Sequence, residues 1–437
     1  MWPHIFLLIT CRVGEAMAVD QGGTVTNRWL VVFGAILIQL ALGAIYAWSV
    51  FTKALQEAPY NFSNSQTQAI FTAGLFTFAL VMIFAGIKMK TIGPRPLAIA
   101  GGLVLGAGYI LGSLFGSTFI MQFICIGIIG GAGIGLAYVV PIAVGMKWFP
   151  DKKGLISGLA VAGFGFGATI WVKVGGSWFG LVENHGVQSV FLYYGIAYII
   201  MVLIGSIWMV NPPENYVPAG YTPPEKKSTD TAKPSMIDYT WQGMLKKAGF
   251  WTIWIIFVFS GMAGLMVIGT IRIFGIDTLQ ASGMDVAKAG AAAGTAMAWY
   301  AIFNGLGRIV WGKVSDNIGP KIAIFLMCLI QGILMLTFFK VGTTAILLTV
   351  YASAIGFNFG GNFALFPVAT ANFFGTKNVG SNYPFVFTAY GIAGIAGPML
   401  GGFVRDATGS FIMAFIPAGI ACLAGAALAL LLKKTVA

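Results

Sequence analysis

Long apolar stretches constrain this chain more than any other feature of its sequence. Twelve of them are each long enough to cross roughly 30 Å of hydrocarbon as a helix. Hydrophobic residues make up 58% of the 437 residues and charged residues only 9%, a balance that excludes a water-soluble globular enzyme. The sequence therefore predicts an all-α membrane protein with twelve transmembrane helices embedded in a lipid bilayer.

The predicted spans form two groups of six, separated by a proline-rich linker. The first six are residues 29–52, 66–88, 96–116, 118–146, 155–177 and 188–210, and the second six are residues 249–272, 288–312, 321–340, 343–369, 380–404 and 409–432. We therefore divide the chain into an N-terminal tail (residues 1–28), a six-helix bundle (29–210), a cytoplasmic linker (211–248), a second six-helix bundle (249–432) and a C-terminal tail (433–437).

Two short segments outside the spans allow more than one interpretation. Residues 239–247 set aromatic side chains beside a lysine pair, which fits a short helix in the membrane interface and an ordinary loop equally well. The apolar run at residues 5–9 is too short to span and follows no basic region. Met17 is therefore a candidate for the true start of the protein, and N-terminal sequencing tests this.

The net charge of +12 indicates topology, because most lysines lie in loops beside spans and do not form a nucleic-acid surface. With both termini in the cytoplasm, the cytoplasmic segments hold 18 lysines and arginines. The outer segments hold only 6, namely Lys53, Lys173, Arg272, Lys288, Lys340 and Arg405. This positive-inside excess predicts a protein of the cytoplasmic (plasma) membrane with both termini inside and no nucleic-acid partner.

Cysteines and histidines form no pattern that would support a metal centre or a reaction. The four cysteines are scattered, and both histidines, His4 and His185, lie outside the predicted spans. The glycine-rich stretches are not followed by Gly-Lys-Ser/Thr, so they are not phosphate loops. We predict no metal, no cofactor and no enzymatic activity, and the oligomeric state stays open.

The two groups of spans are related by an internal repeat of 226 residues. This offset relates Gly86, Gly93, Pro94, Gly130, Pro141, Gly154 and Gly165 to Gly312, Gly319, Pro320, Gly356, Pro367, Gly380 and Gly391. Shared prolines make duplication a better explanation than chance. Six spans repeated once in parallel predict a rocking transporter, whose substrate binds near the midplane between the halves.

Arg308 is the most informative single residue, because residues 296–311 around it are apolar and contain no acid. A cation inside a membrane helix is costly and marks a binding or transport pathway, here for a small organic anion. Asn304 lies on the same helix face, so the guanidinium fork suits a carboxylate and the amide suits a further oxygen. The alternative is that Arg308, about one turn before Gly312, extends to the cytoplasmic face.

Aromatic and amide residues in other spans are candidates for the wall of this site, with core packing as the alternative. In the tenth span two phenylalanines share one face and Asn358 and Asn362 share another, so one face lines the path and the other packs. We favour the phenylalanines, with Asn362 near the cavity. The candidate wall residues are Tyr138, Phe359, Phe363, Asn362, Phe387 and Tyr390.

Two loops and five short motifs resemble one transporter family. The loops at residues 86–95 and 312–321 share the pattern Gly-x6-Gly-Pro-[Arg/Lys] and resemble the loops after the second and eighth helices of the major facilitator superfamily. The motifs are residues 27–29 (Asn-Arg-Trp), 45–49 (Ile-Tyr-Ala-Trp-Ser), 147–155, 211–214 (Asn-Pro-Pro-Glu) and 304–308 (Asn-Gly-Leu-Gly-Arg). Together they resemble the oxalate/formate antiporter-like family, which is related to monocarboxylate transporters.

The resemblance implies the major facilitator fold and places the substrate carboxylate on Arg308. It implies a gating role for the loop residues Gly86, Gly93, Gly312, Asp316 and Gly319. Lys90 stands where the family usually has an aspartate, which is a departure in the N-terminal half.

Two further departures bear on substrate and coupling. The oxalate exchanger of the family has a lysine in the eleventh helix, whereas residues 387–391 here contain Tyr390 and no cation. One cation suits a monoanion such as lactate, pyruvate, glycolate or formate better than oxalate. All 13 acidic residues lie outside the predicted spans, and animal monocarboxylate transporters have an aspartate where Asn304 stands. Proton symport and anion exchange both stay open, with symport placed first.

Overall fold

Twelve long helices make up the computed structural model, which describes residues 27–213, 216–218, 221, 238–341, 344–408 and 412–432. Three are built from consecutive segments: α1 (Arg28–Leu42, Gly43–Trp48 and Ser49–Gln56), α4 (Phe119–Gln122, Phe123–Gly130 and Gly131–Trp148) and α5 (Lys153–Lys173 and Val174–Trp178). The others are α2 (Asn64–Ile92), α3 (Pro94–Phe115), α6 (Leu181–Ser206), α7 (Ala248–Ala281), α8 (Val286–Ile318), α9 (Pro320–Val341), α10 (Ala345–Phe374), α11 (Val379–Thr408) and α12 (Ile412–Leu431).

Each predicted span corresponds to one of these helices, which confirms the predicted fold class. In the described ranges, 11 helices are long and apolar enough to cross a membrane by composition alone, and the remaining one is α8. Its apolar part is rich in alanine and glycine and contains Asn304, which keeps its mean hydropathy low even where no charge is present. The proposed start at Met17 and both predicted tails, apart from residues 27 and 28, lie outside the described residues.

α8 is longer than the sequence predicts, and this changes the position of Arg308. The predicted span stops at Gly312, whereas the helix continues to Ile318. The apolar run ends where Lys313 and Asp316 begin to alternate with apolar residues, but the backbone stays helical until Gly319. Arg308 is therefore about 15 Å from the end of its helix, and not one turn from it.

The two halves repeat the same helix pairings. In the first half α1 packs on α5, α2 on α4, and α3 on α6, and in the second half α7 packs on α11, α8 on α10, and α9 on α12. Pro141 and Pro367, which are related by the repeat, both lie inside helices, α4 and α10. The contacts between the halves are also related, because α5 packs on α8 and α2 packs on α11. The structure thus supports duplication of one six-helix unit.

Two glycine turns define one end of the bundle. Gly93 and Gly319 have φ values of 89° and 82°, which a residue with a Cβ adopts only with strain, and each is followed by a proline that starts the next helix. Lysines and arginines flank both turns, so we call this end of the bundle the basic end. The side of the membrane that it faces stays a prediction.

Four glycines join the halves near the basic end. A methyl group on Gly86 of α2 would overlap the carbonyl of Gly380 in α11, and one on Gly312 of α8 would overlap the carbonyl of Gly154 in α5. These two contacts are equivalent under the 226-residue repeat. We call the four residues the glycine layer. Because backbone meets backbone there, the halves are in close contact at the basic end.

Asp316 stabilises the contact between α8 and α5. Its carboxylate oxygens accept hydrogen bonds from the backbone N–H groups of Gly154 (2.7 Å) and Leu155 (2.8 Å) at the start of α5. A carboxylate is favourable at a helix N-terminus because of the helix dipole. Lys90 is the repeat-related residue, so the contact between α2 and α11 lacks an equivalent carboxylate at that position. We call these two contacts between the halves, α5 with α8 and α2 with α11, the seams. Asp316 stabilises the first seam, and the second lacks the corresponding carboxylate.

The end of the linker is attached to the second half. The interpretation of residues 239–247 as a short helix is confirmed in part, because Trp241–Leu245 is helical. Just before it, Asp238 accepts a hydrogen bond from the Lys377 N–H (3.0 Å). The Tyr239 carbonyl accepts hydrogen bonds from Asn378 (2.8 Å) and Asn382 (3.0 Å). The linker thereby braces the turn between α10 and α11.

Candidate functional site

Glycines on neighbouring helices bring α8 close to α5 of the first half and to α10 of its own half at the level of Arg308. A methyl group on Gly158 of α5 would overlap the Arg308 carbonyl, and one on Gly360 of α10 would overlap the Asn304 carbonyl. Gly165 of α5 lies beside the guanidinium itself, since a Cβ there would be 3.4 Å from Cζ. Small residues at these positions let membrane helices approach closely. They set the depth and direction of the Arg308 side chain.

Arg308 points inward and does not extend to the membrane surface. Its side chain is 3% exposed. Nε and Nη2 donate to Oδ1 of Asn304 (3.2 and 2.9 Å), and Nη1 donates to the backbone carbonyl of Val161 in the other half (2.7 Å). The Phe363 ring covers the guanidinium at 4.2 Å. Three of the five guanidinium N–H groups are thereby used, which leaves one on each terminal nitrogen.

The charge of Arg308 is not balanced by a carboxylate. Among the described residues no carboxylate forms an ion pair with Arg308. The titratable groups near Arg308 are tyrosine hydroxyls, those of Tyr46, Tyr138, Tyr300, Tyr383 and Tyr390, which are neutral at pH 7. A buried cation without a counter-charge costs several kcal/mol. An anion placed against this guanidinium would therefore be stabilised by it, whereas a cation would be repelled.

Aromatic rings from both halves form a cluster that reaches this charge through Phe363. The ring of Tyr138 in α4 lies 5.5 Å from that of Phe387 in α11, and Phe363 lies 5.3 Å from Tyr390. The rings of the N-terminal half are Tyr46, Phe78, Tyr138 and Phe164, and those of the C-terminal half are Phe363, Phe387 and Tyr390. A small carboxylate with an apolar body would meet rings on its sides and one cation at its charged end.

Tyr46 is a site residue that the sequence analysis did not single out. Its hydroxyl and that of Tyr390 are 2.7 Å apart, and this hydrogen bond joins α1 to α11 across the two halves. Tyr46 lies in the 3₁₀ segment Gly43–Trp48, where Gly43 packs against the carbonyl of Phe164. The available signal was the motif at residues 45–49, which contains this tyrosine.

The structure brings together most of the predicted wall residues. Tyr138, Phe363, Phe387 and Tyr390 join Asn304 and Arg308, whereas Asn362 does not. The Asn362 amide accepts from Ser260 of α7 (2.6 Å) and donates to the Phe359 carbonyl (3.0 Å), so it faces the interior of its own half. Phe359 is connected to the site through Phe363. Its ring packs on Gly264 of α7 and lies 5.5 Å from the Phe363 ring.

No group of three or more metal-ligating side chains occurs in the part of the chain that the structure describes. Three of the cysteines, Cys125, Cys328 and Cys422, are buried there as free thiols. The predictions that the protein uses no metal and no cofactor stay predictions.

Two repeated six-helix units that meet around a buried charge define a membrane transporter. The sequence profile of the Major Facilitator Superfamily matches residues 28–293 and 287–436. The chain belongs to the major facilitator superfamily, and it is a transporter and not an enzyme.

Relatives and solved structures agree with this assignment. The chain is 28% identical over 375 residues to the uncharacterized MFS-type transporter YhjX of Escherichia coli (strain K12), covering 84% of this chain and 86% of the relative. It is 27% identical over 382 residues to the oxalate:formate antiporter of Oxalobacter formigenes, covering 87% and 85%. Monocarboxylate transporter 13 of Rattus norvegicus is 23% identical over 404 residues, covering 91% and 87%. The resemblance inferred from the motifs is therefore confirmed.

The solved structures show the fold. The Escherichia coli fucose transporter FucP in its outward conformation superposes with a TM-score of 0.62 at 17% identity, over 92% of this chain and 99% of that chain. The proton:xylose symporter XylE superposes with a TM-score of 0.64 at 14% identity, over 93% and 96%.

Proposed function

We propose that this transporter carries a small monocarboxylate of the lactate, pyruvate, glycolate or formate type across the membrane by alternating access. The carboxylate binds Arg308, and Asn304 orients the guanidinium. Tyr138, Phe363, Phe387 and Tyr390 line the site, and Tyr46 completes it. Gating involves Gly86, Gly93, Gly312, Asp316 and Gly319 at the basic end.

The observation that carries this proposal is the unbalanced charge of Arg308. Each terminal nitrogen keeps one unused N–H group, which can donate a hydrogen bond to a carboxylate oxygen. Asn304 uses the side edge of the guanidinium and holds it in place. Phe363 and Gly165 cover its faces. A carboxylate that accepts these hydrogen bonds would supply the counter-charge that the described residues lack.

The number of cations favours a monoanion. Arg308 is the only cation among the residues that surround the site in the described structure, and the nearby polar groups are phenols and an amide. A dianion would bring a second charge that no cation balances. Its second carboxylate would have to be desolvated against neutral groups, which is costly.

The closed basic end fits one state of an alternating-access cycle. We propose, from the positive-inside rule, that the basic end faces the cytoplasm and that both termini lie there. The glycine layer and Asp316 then close the cytoplasmic side. Transport would require both seams at the basic end to open, and the Tyr46–Tyr390 hydrogen bond would have to break when α1 and α11 separate.

Uptake of labelled L-lactate and oxalate by proteoliposomes tests the substrate class. We expect L-lactate to be taken up with the higher kcat/KM, since one cation balances one negative charge. Pyruvate, glycolate and formate should compete with L-lactate, whereas a neutral sugar such as L-fucose should not. Preference for oxalate would contradict the charge argument and support the alternative function, an exchanger of the oxalate/formate type. Competition by the sugar alone would instead indicate another solute on the same fold.

A proton gradient separates the two modes of coupling. The described residues around Arg308 include no carboxylate, so in symport the substrate carboxylate would itself carry the proton. We place symport first and expect an inward proton gradient to accelerate L-lactate uptake several-fold into vesicles without internal substrate. Uptake that ignores the gradient but requires internal anion would contradict symport and favour exchange, as the name of the Oxalobacter relative suggests.

A further inference from the structure

Tyr383 of α11 has a hydroxyl group that the site described so far does not use. The side chain is fully buried, and its hydroxyl has no hydrogen-bond partner among the described residues. An unpaired buried hydroxyl is destabilising, and each one in a native structure requires an explanation. One explanation is a partner that is acquired in another step of the transport cycle.

Tyr383 lies at a depth between the glycine layer and Arg308. It follows Gly380 by three residues, which places it about 4.5 Å further into the bundle along α11. Arg308 precedes Gly312 by four residues, which places it about 6 Å from the same layer along α8. An anion that leaves Arg308 toward the basic end must therefore pass the level of Tyr383.

The surroundings of Tyr383 connect it to the charged site. Its ring packs edge-on against Phe387 at 5.7 Å, and Phe387 in turn contacts Tyr138 across the boundary between the halves at 5.5 Å. These ring contacts place Tyr383 in the same aromatic cluster between the halves as Tyr138, a tyrosine near Arg308. In that position an O–H donor suits an anion.

The repeat supplies a second hydroxyl at the equivalent position. Ser157 of α5 precedes Tyr383 by 226 residues and follows Gly154 by three, as Tyr383 follows Gly380. It is also fully buried, and its hydroxyl also has no partner within the described ranges. Each half therefore places one unpaired hydroxyl just inside its own glycine contact, and both would become accessible when the two seams open.

We propose that Tyr383 is a second carboxylate-binding residue. Its hydroxyl donates a hydrogen bond to the substrate anion after the anion leaves Arg308 toward the basic end. Ser157 is a second donor to the same anion from the other half. This inference rests on the proposed transport of a carboxylate. It assigns to Tyr383 a role on one side of the cycle only, because its hydroxyl is enclosed while the basic end is closed.

Tyr383→Phe tests this inference, since it removes the hydroxyl and keeps the ring that packs on Phe387. Exchange of radiolabelled L-lactate is measured in vesicles of both orientations, and the half-saturation concentration is determined from each side. We expect an increase of about tenfold on the side of the basic end, the range for a lost hydrogen bond to a charged group, and less than about twofold on the other side.

The control is Tyr198→Phe, because Tyr198 is buried among Tyr109, Trp171 and Tyr194 within the first half, away from Arg308. It should change neither side, and Ser157→Ala should resemble Tyr383→Phe with a smaller effect. Unchanged values on both sides for Tyr383→Phe would overturn the inference. Weaker binding on the basic side together with tighter binding on the other side would also overturn it. That pattern is expected if the substitution only stabilises the state in which the basic end is closed. A wild-type protein that exchanges no lactate, formate or oxalate would instead refute the proposed function.

Discussion

Replacing Arg308 with alanine is expected to reduce uptake of L-lactate at least about 30-fold, because removal of one partner of a buried charge pair costs about 2–5 kcal/mol. Asn304 and the Val161 carbonyl would lose their donor, and the carboxylate would meet only phenols and rings. Uptake by proteoliposomes measures transport, and size-exclusion chromatography of the purified variant verifies folding. The protein should remain folded, because the substitution also removes an unbalanced buried cation.

Two matched variants identify the reason for that loss. Arg308→Lys keeps the charge but loses the planar fork, so we expect a smaller loss of about tenfold, in line with one lost charged hydrogen bond. Lys288→Ala removes a cation from the exposed start of the same helix and should change uptake less than about twofold, as surface charges contribute little. If Arg308→Ala retained uptake, the carboxylate would have to bind elsewhere and the proposed function would lose its main support.

The helices were predictable because they depend on local composition. A run of apolar residues predicts a span. The repeat predicts that a contact between Gly154 and α8 is matched by an equivalent contact between Gly380 and α2. The end of helix α8 was not predicted for the same reason. Hydropathy falls after Gly312, whereas the helix continues to Ile318. Hydropathy detects where lipid contact ends, and backbone geometry decides where a helix ends.

The partners of each side chain were not predictable, because they depend on how helices are rotated against each other. The Nη1 group of Arg308 bonds the backbone carbonyl of Val161, and a backbone acceptor has no signature in the sequence. Asn362 was expected near the anion because it lies on a polar helix face, but that face turns toward Ser260. Helical periodicity separates faces and does not say which neighbour each face meets. Tyr46 was overlooked since it lies within an apolar run.

Replacing Tyr390 with lysine is expected to shift the preference of the transporter from L-lactate toward oxalate by about 10-fold to 100-fold, as each charged hydrogen bond is worth about 1.5–3 kcal/mol. The Tyr390 hydroxyl meets that of Tyr46 across the two halves, and its ring contacts Phe363, which covers Arg308. A cation at this place would be separated from Arg308 by the Phe363 ring. The ratio of kcat/KM for oxalate and L-lactate, measured in the same proteoliposomes, reports the shift.

Tyr390→Phe is the matched control, because it breaks the hydrogen bond to Tyr46 without adding a charge. If the number of cations decides which anion is carried, this variant should keep the preference for L-lactate even where its rate changes. A shift toward oxalate in Tyr390→Phe would mean that the hydroxyl pair excludes the dianion by its geometry. In Tyr390→Lys, uptake of L-lactate should also fall, since the second cation would then lack a partner whenever a monoanion is bound, and an unpaired buried lysine is costly or loses its proton.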